Sequence, residues 1–438
     1  MHWSSLLLLV FAGLLGLMAI GVPIAFSFTF VNIIAAYTLW NGVAGLNQLM
    51  LSIYESVTSF ALLPVPLFVL MGEVMFRSGI AGKLMDVVDS WIGKLPGRLS
   101  LTAVAGGTVF ATLTGSAMAG AAMLSSLLVP EMQKRGYSRE MSLGPILGAG
   151  GLAIMIPPSA LAVLLAAIAN FSVGDFLLAI IVPGLMMAVT FALYIIVRCS
   201  LNPSLAPSYE RAPVPIGLRL RNTLLYGLPL FVIVFLVVGL MFLGIATATE
   251  SAAAGALGCF VLAWAYGGLS WSMVKESFRA TLRVTVMMLM IITGSTAFSQ
   301  VLAFSGASSG LVEAATQLPL SPLMIVMAMQ VVMLIMGCFM EPLSIMMLTI
   351  PIFFPIIKTL GFSPIWFGAI MLLNMEMATI SPPFGLVLFV VKGLAPPGTT
   401  LTHVYKAALP FVLCDLFVIG ILLFYPGFVT WLPGLMGR

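Results

Sequence analysis

Charged residues are scarce in this chain, and that scarcity excludes an ordinary water-soluble protein. Only 7% of the 438 residues are charged and 61% are hydrophobic, and the mean hydropathy is +1.18. Soluble domains carry about 25% charged residues. The composition therefore predicts an all-α polytopic membrane protein. The small net charge of +4 gives no indication of nucleic-acid binding.

Side chains that commonly perform catalysis are also few. The histidines are His2 and His403, both near predicted helix ends, and no two acids share a mid-span face at i, i+4. An intramembrane enzyme needs such a pair or a metal cluster, so we do not expect an enzyme. Four cysteines lack metal-ligand spacing and are interpreted as small core residues: Cys199, Cys259, Cys338 and Cys414.

Nucleotide-binding motifs are absent as well. Without a Walker or Rossmann motif, the chain is not expected to hydrolyse nucleotides, and no cofactor is expected. What the chain has instead is long apolar runs. They predict ten membrane crossings, at about 4–20, 24–40, 50–76, 141–172, 176–198, 223–243, 249–267, 284–303, 364–395 and 400–424. We interpret 4–20 as a span, since no basic segment or small-residue cleavage site marks a signal peptide.

Two further apolar regions, 99–133 and 321–357, are each too long for one crossing. The first has Thr114-Gly115-Ser116 in its middle, and the second has Gly337 through Glu341-Pro342. Two half-length helices joined by such a tip form a re-entrant hairpin. Backbone of this kind is tolerated at membrane depth only where protein or a wet cavity covers it.

The same helix breaks occur twice at one offset of 225 residues. Pro130, Gly136, Ser138, Pro157 and Pro158 recur as Pro355, Gly361, Ser363, Pro382 and Pro383. Paired breaks at matching places in two hydrophobic halves indicate the binding site of a secondary transporter. We therefore predict a first repeat over 1–198, a linker over 199–222 and a second repeat over 223–438. The broken spans are those at 141–172 and 364–395.

The distribution of basic residues predicts the orientation of these halves. Sixteen of the 18 Lys and Arg residues fall in five segments that the layout assigns to the cytoplasm: 77–98, 131–140, 198–222, 268–283 and 392–406. Both termini are then outside. The two hairpins enter from opposite faces, which makes the repeat an inverted one. Residues 271–283 mix charges with apolar residues and are expected to lie along the interface before the next crossing.

The two Pro-Pro pairs predict free carbonyl groups in the middle of the membrane. Proline has no N–H, so Pro157-Pro158 deprives the carbonyls of Ala153 and Ile154 of their donors. By the same i→i−4 spacing, Pro382-Pro383 leaves the carbonyls of Ala378 and Thr379 without donors. Such carbonyls are ligands for a small hard cation, as in Na⁺-binding broken helices. Facing hairpin tips would complete two cation sites, with Gly115 and Ser116 in the first half and Gly337, Glu341, Thr379 and Ser381 in the second.

Four acids are expected inside spans: Glu250, Glu341, Glu376 and Asp415. A buried ionisable residue in a membrane is a functional hypothesis by default. Glu341 could coordinate a cation or anchor the hairpin tip by hydrogen bonds, and Glu376 could do either; both alternatives stay open. Glu250 follows Thr247 in a pattern typical of a helix cap, which favours a structural role.

Residues 244–253 then point to a family. They read Gly-Ile-Ala-Thr-Ala-Thr-Glu-Ser-Ala-Ala, which resembles the Gly-x-x-Thr-Pro-Thr-Glu-Ala-Ala-Ala signature of the large membrane subunit of TRAP (tripartite ATP-independent periplasmic) transporters, DctM-like, of the ion-transporter superfamily. The stretches 113–119 with 156–159, and 337–342 with 380–383, resemble the two hairpins and breaks of that family. Ala248 departs from the usual proline.

The resemblance implies a function and partners that the pattern alone does not give. Members import small organic acids, such as C4-dicarboxylates or sialic acid, across the bacterial inner membrane, with Na⁺ as the coupling ion. A periplasmic binding protein delivers the substrate, and a small four-helix membrane subunit, here expected as a separate chain, is a further partner. The family works as an elevator, in which hairpins and broken spans slide against a scaffold of the remaining spans.

The resemblance also assigns residues to sites. It implies Gly115, Ser116 and Pro157 for the first Na⁺ site, beside the carbonyls of Ala153 and Ile154. It implies Gly337, Glu341, Thr379 and Pro382 for the second, beside the carbonyl of Ala378. The substrate would lie between the hairpin tips, nearest to Ser116, Ser159, Ser381 and Pro383. Two alternatives are a passive channel lined by the hairpins and a superfamily carrier that works without a binding protein.

Overall fold

The computed structural model describes residues 3–93, 95–114, 117–207 and 215–435, with the backbone alone at 81 and 111–114. Within these residues the chain is helical and contains no strand. This confirms the predicted fold class of an all-helical polytopic membrane protein at the level of secondary structure.

The first half is a run of helices separated by short turns. In chain order they are α1 Trp3–Ala19, α2 Ile24–Leu39, α3 Val43–Val57, α4 Pro64–Arg77, α5 Ile80–Ile92, α6 Arg98–Thr114, α7 Ala117–Lys134, α8 Arg139–Met155, α9 Ala160–Ile168, α10 Val173–Ala179 and α11 Ile181–Leu201. Short 3₁₀ turns occupy Phe60–Leu62 and Pro203–Leu205.

The second half continues in the same manner. Its helices are α12 Ile216–Asn222, α13 Leu228–Val234, α14 Leu240–Phe242, α15 Ala248–Ala265, α16 Trp271–Phe304, α17 Ala307–Thr316, α18 Pro322–Gly337, α19 Pro342–Thr359, α20 Pro364–Ile380, α21 Leu386–Leu394, α22 Leu401–Phe424 and α23 Gly427–Gly434. Two π-helical turns, Thr223–Gly227 and Phe235–Gly239, join α12 to α14 into one continuous rod.

The repeat seen in the sequence is also a repeat of helices. The starts of α7 and α19 lie 225 residues apart, and so do those of α8 and α20. Gly136 and Gly361 end the hairpin helices in left-handed conformations, with φ of 73° and 79°. Two residues later, Ser138 and Ser363 cap the next helix by accepting from Met141 N at 3.2 Å and Trp366 N at 3.4 Å.

Seven helices or helix runs in the described chain are long and apolar enough to cross a membrane: Phe60–Arg77, Val173–Leu201, Ile216–Phe242, Ala248–Ala265, Trp271–Phe304, Pro342–Thr359 and Leu401–Phe424. The pair α8 and α9, bent by 42°, adds an eighth if it is one span. Ten crossings were expected. The count differs because α1 and α2 have only 17 and 16 residues and α20 and α21 are separate helices, while α19, which was predicted as part of a hairpin, is added.

Three predicted boundaries are wrong. The long span at 50–76 is two helices, because α3 ends at Val57 and the backbone turns extended at Ser59 before α4 begins at Pro64. Residues 271–283 are not a separate segment, since α16 runs unbroken for 34 residues. The end of the predicted linker, 216–222, is helical and forms α12, the start of the next span.

The two broken helices lie together at the centre of the molecule. Every residue of α8 from Met141 to Met155 and of α20 from Trp366 to Ile380 is buried. The helices α8 and α20 pack against each other, and α8 also packs on α6, α7 and α22. A Cβ at Gly151 would overlap the carboxyl group of Glu376, so glycine is what allows this close approach.

Candidate functional site

The first break separates α8 from α9 at the prolines identified in the sequence. The Pro157-Pro158 peptide bond is cis, and Ile156 N donates to Leu152 O at 2.9 Å as the final helical bond. Among the described residues, no donor reaches the carbonyls of Ala153 and Ile154. The predicted pair of free carbonyls is therefore present, in residues that are 1% and 2% exposed.

Ser159 begins the helix after this break. Its Oγ accepts a hydrogen bond from Ala162 N at 3.2 Å, and the residue is fully buried. This bond satisfies one of the unpaired N–H groups at the start of α9. The sequence analysis expected Ser159 beside the substrate. The structure gives it a capping role and leaves the substrate contact a prediction.

The helices α6 and α7 pack closely on α8 through small residues. A Cβ at Gly107 of α6 would lie 2.6 Å from the Cβ of Ala149, and one at Gly150 would lie 2.9 Å from that of Ala121 in α7. The same position at Gly150 is 3.1 Å from the carbonyl oxygen of Ala117. The start of α7 therefore lies within one turn of Ala153. Gly115 and Ser116, the predicted tip residues, lie outside the described residues.

The second break differs in its hydrogen bonding. The Pro382-Pro383 bond is also cis, but Ser381 N donates to the carbonyl of Ala378 at 3.3 Å. The prediction that Ala378 has a carbonyl without a donor is therefore wrong, because a tighter i→i−3 bond closes the end of α20. At Thr379, in contrast, no donor among the described residues reaches the carbonyl, as predicted.

The hydroxyl groups at this break bond back to their own helix. Thr379 Oγ1 donates to Glu376 O and Ser381 Oγ donates to Met377 O, both at 2.8 Å. A hydroxyl oxygen that donates its hydrogen keeps lone pairs as an acceptor. Thr379 and Ser381 can therefore still present oxygen to a cation or to a polar substrate.

The end of α18, where the tip of the second hairpin is predicted, touches the second break directly. A Cβ at Gly337, the last residue of α18, would overlap the Cβ of Ala378. Cys338 Sγ donates to Pro382 O at 3.4 Å. Three of the predicted site residues, Gly337, Ala378 and Pro382, are thus brought together by the fold.

Glu341 is the half-buried residue before α19, four positions beyond the contact at Gly337. Its Oε1 accepts from Ser344 Oγ at 3.4 Å. This local bond matches the anchoring alternative, and the described residues show no hydrogen bond from Glu341 to the break. The fold brings Glu341 to the same tip as Gly337 without joining its side chain to Thr379.

Sequence reasoning missed a partner of Pro383. Tyr405 of α22 donates its hydroxyl to the carbonyl of Pro383 at 2.7 Å. The rings of Phe339 and Phe384 lie 5.9 Å apart at the edge of the same break. No sequence signal links Tyr405 to the second break, since the contact exists only after α22 packs beside α21.

The acids expected in spans have two different environments. Glu376 and Asp415 are fully buried on α20 and α22, two helices that pack against each other. Glu250 accepts from Thr247 N at 2.8 Å in a capping box, which confirms the structural interpretation. No group of three or more His, Cys, Asp or Glu residues in the described chain is arranged to hold a metal. A cation at the breaks would therefore depend chiefly on carbonyl and hydroxyl oxygens.

Comparison with known proteins gives one consistent family. Residues 11–428 match the family described as "Tripartite ATP-independent periplasmic transporter, DctM component". A C4-dicarboxylate TRAP transporter large permease protein from Pseudomonas aeruginosa is 33% identical over 394 residues, covering 89% of this chain and 90% of the relative. A sialic acid TRAP transporter large permease protein from Vibrio cholerae is 26% identical over 425 residues, covering 97% of each.

Among solved structures, the Alcanivorax borkumensis YdaH transporter has a similar fold. Its TM-score is 0.71 over 92% of this chain and 98% of that chain. At 16% identity this likeness shows the fold alone. Because the family match runs from residue 11 to residue 428, this chain belongs to the DctM family, the large permease component of tripartite ATP-independent periplasmic transporters.

Proposed function

We propose that this permease subunit imports a small organic acid together with Na⁺, by an elevator movement. Its relatives are transporter permeases named for organic acids, among them C4-dicarboxylates and sialic acid, and the family is not known to be enzymatic. The observation that carries the sodium proposal is the set of unpaired carbonyls of Ala153, Ile154 and Thr379 at two equivalent breaks. In a membrane interior, an unpaired carbonyl without a ligand is costly.

Two Na⁺ sites follow from these carbonyls. The first uses Ala153 and Ile154 beside Pro157, with Gly115 and Ser116 supplied by the first hairpin. The second uses Thr379 and the second lone pair of the Ala378 carbonyl beside Pro382, with Gly337 and Glu341 from the second hairpin. A carbonyl that already accepts one hydrogen bond can still ligate a cation through its other lone pair.

The substrate is placed between the breaks, near Ser116, Ser159, Ser381 and Pro383. The helices α9 and α21 both begin at this level, and helix N-termini carry partial positive charge that favours a carboxylate. Pro383 and Phe384 are exposed, so this side of the second break is open to a ligand.

The moving body of the elevator would be the buried unit formed by α6 to α9 and α18 to α21. The remaining spans would form the scaffold. A periplasmic binding protein and a small four-helix membrane subunit complete the transporter. The chain is a multi-span membrane protein of a bacterial family, and we place it in the inner membrane with both termini in the periplasm.

Uptake into proteoliposomes tests this function. The full chain is reconstituted with its small subunit, and labelled succinate or sialic acid is supplied with the binding protein. We expect accumulation only with an inward Na⁺ gradient and with the binding protein. Downhill flux without Na⁺ indicates a passive channel, accumulation driven by a proton gradient contradicts sodium coupling, and accumulation without the binding protein indicates a carrier of another kind.

A further inference from the structure

An open groove lies between the start of α2 and the middle of α16, away from both helix breaks. Its volume is about 470 Å³, which is within the range of small-molecule sites. The lining residues are almost all apolar, with a single charged side chain: Pro23, Ala25, Phe26, Leu282, Arg283, Val286, Met287 and Met290.

The two helices that line the groove pack against each other. Asn32 Nδ2 of α2 donates to Gly294 O of α16 at 2.7 Å, and a Cβ at Gly294 would lie 2.6 Å from the Cβ of Phe28. The groove lies nearer the start of α2 than this contact. Phe26 and Val286 are left 55% and 53% exposed on the groove walls.

Three basic residues of α16 continue the line of the groove along this helix. Lys275, Arg279 and Arg283 follow one another at i, i+4 spacing and therefore share one face of the helix. All three are exposed. Arg279 pairs with Glu276 at 3.4 Å, whereas Arg283, at the mouth of the groove, has no ion pair within the described chain.

One helix face thus changes from charged to apolar over a few turns. From Arg283 to Met290 is seven residues, or about 10 Å along an α-helix. An amphiphile with an anionic head and a hydrocarbon tail matches that order of charge and apolar surface. A neutral lipid would leave Arg283 without a counter-charge, and a free inorganic anion would leave the apolar walls unfilled.

We propose that this groove binds an anionic phospholipid, with its phosphate-bearing headgroup at Arg283 and an acyl chain along Val286, Met287 and Met290. Phe26 of α2 forms the opposite wall. Arg279 and Lys275 extend the positive surface toward the headgroup region. The expected excess of basic residues on the cytoplasmic side places this mouth at the leaflet where bacterial and other membranes expose anionic headgroups.

Lipid retention on the purified full chain tests the site. The protein is exchanged into mixed micelles that contain equal amounts of phosphatidylglycerol and phosphatidylcholine, and the lipid that stays bound is measured by native mass spectrometry. One basic side chain near a headgroup changes affinity about fivefold. We expect a preference of about that size for phosphatidylglycerol in the unmodified chain and nearly none in Arg283→Gln.

Two further variants make the result specific. Arg221→Gln removes another exposed arginine at the start of a span, so it should keep the preference. Met287→Trp fills the groove and should lower the retention of both lipids while Arg283 remains. The proposal is overturned if Arg283→Gln retains phosphatidylglycerol as well as the unmodified chain does. Displacement of the lipid by the co-purified small membrane subunit would overturn it as well and would assign the groove to a protein helix.

Discussion

Pro157-Pro158 and Pro382-Pro383 interrupt equivalent helices, yet the two breaks lie in different surroundings. Residues 151–160 are buried throughout, and the helix that follows begins with a serine cap. At the second break Pro383 and Phe384 are exposed, and the carbonyls of Pro382 and Pro383 accept from Cys338 and Tyr405. The same proline pattern therefore occurs once in a fully buried segment, the closed break, and once in a partly exposed segment that is hydrogen-bonded by other helices, the externally held break.

The two breaks also differ in which segments supply their hydrogen bonds. At the first, Ser159 caps α9 within the same segment, while the carbonyls of Ala153 and Ile154 have no donor among the described residues. At the second, the residue after α18 and a tyrosine of α22 each donate one hydrogen bond to a proline carbonyl. The second break therefore takes hydrogen bonds from distant helices.

The largest expected effect comes from separating the second hairpin tip from its break. Gly337→Ala places a methyl group where the Cβ of Ala378 already lies. Overpacking of this kind costs about 1–3 kcal/mol, so we expect at least a tenfold loss of Na⁺-driven uptake. Gly393→Ala is the matched control, because no atom lies within 4 Å of a Cβ there. Equal uptake by the two variants would show that the contact at Gly337 is dispensable.

A smaller effect should distinguish the ion sites. The proposed second site contains the carboxylate of Glu341, whereas the proposed first site is built from neutral groups. Glu341→Gln should raise the Na⁺ concentration for half-maximal uptake about three- to tenfold, since a neutral amide attracts a cation less strongly. The exposed Glu313→Gln is the control. An unchanged Na⁺ requirement would reduce Glu341 to an anchor of the hairpin through Ser344.

These sites also show how far the sequence alone could lead. The helix starts that recur at an offset of 225 residues, the helix caps at Ser138 and Ser363 and the free carbonyl of Thr379 all follow from local chemistry, because glycine, serine and proline act on the backbone beside them. Whether the carbonyl of Ala378 accepts a hydrogen bond does not follow from this local chemistry. Whether a freed carbonyl is recovered by an i→i−3 bond depends on how the turn closes, which proline positions do not determine.

Contacts between distant helices were beyond prediction for a related reason. Tyr405 meets Pro383, and Gly151 meets Glu376, only because α22 and α20 pack at these points. An apolar periodicity shows which residues avoid water but not which helix covers them.

Ser159, which follows the first break, and Ser381, which precedes the second, should differ moderately in their effect on stability. Ser159→Ala removes a helix cap, which costs about 1 kcal/mol. Ser381→Ala removes only a bond to its own helix, for which a smaller loss is expected. Thermal unfolding of the two purified variants gives the comparison. If Ser381→Ala is the less stable protein, the contrast between a closed and an externally held break is wrong.

The smallest effect is expected at Tyr405. Tyr405→Phe keeps the ring and removes the hydroxyl that donates to Pro383, through a hydrogen bond at the surface of the chain from a half-buried residue. A hydrogen bond of this kind contributes about 0.5–1.5 kcal/mol when buried and less in water. Uptake should therefore fall by no more than about threefold, with the Na⁺ dependence unchanged. A larger loss would mean that Tyr405 contacts the substrate itself.

The most direct test of the inverted repeat compares Lys134 with Thr359, which occupy equivalent positions at the ends of α7 and α19. Both are exposed. In a variant without the four native cysteines, Lys134→Cys and Thr359→Cys are treated with a membrane-impermeant thiol reagent on intact cells. Two halves of opposite orientation predict that Thr359→Cys reacts from outside and that Lys134→Cys reacts only after the membrane is opened. Reaction of both from the same side would contradict the inverted repeat.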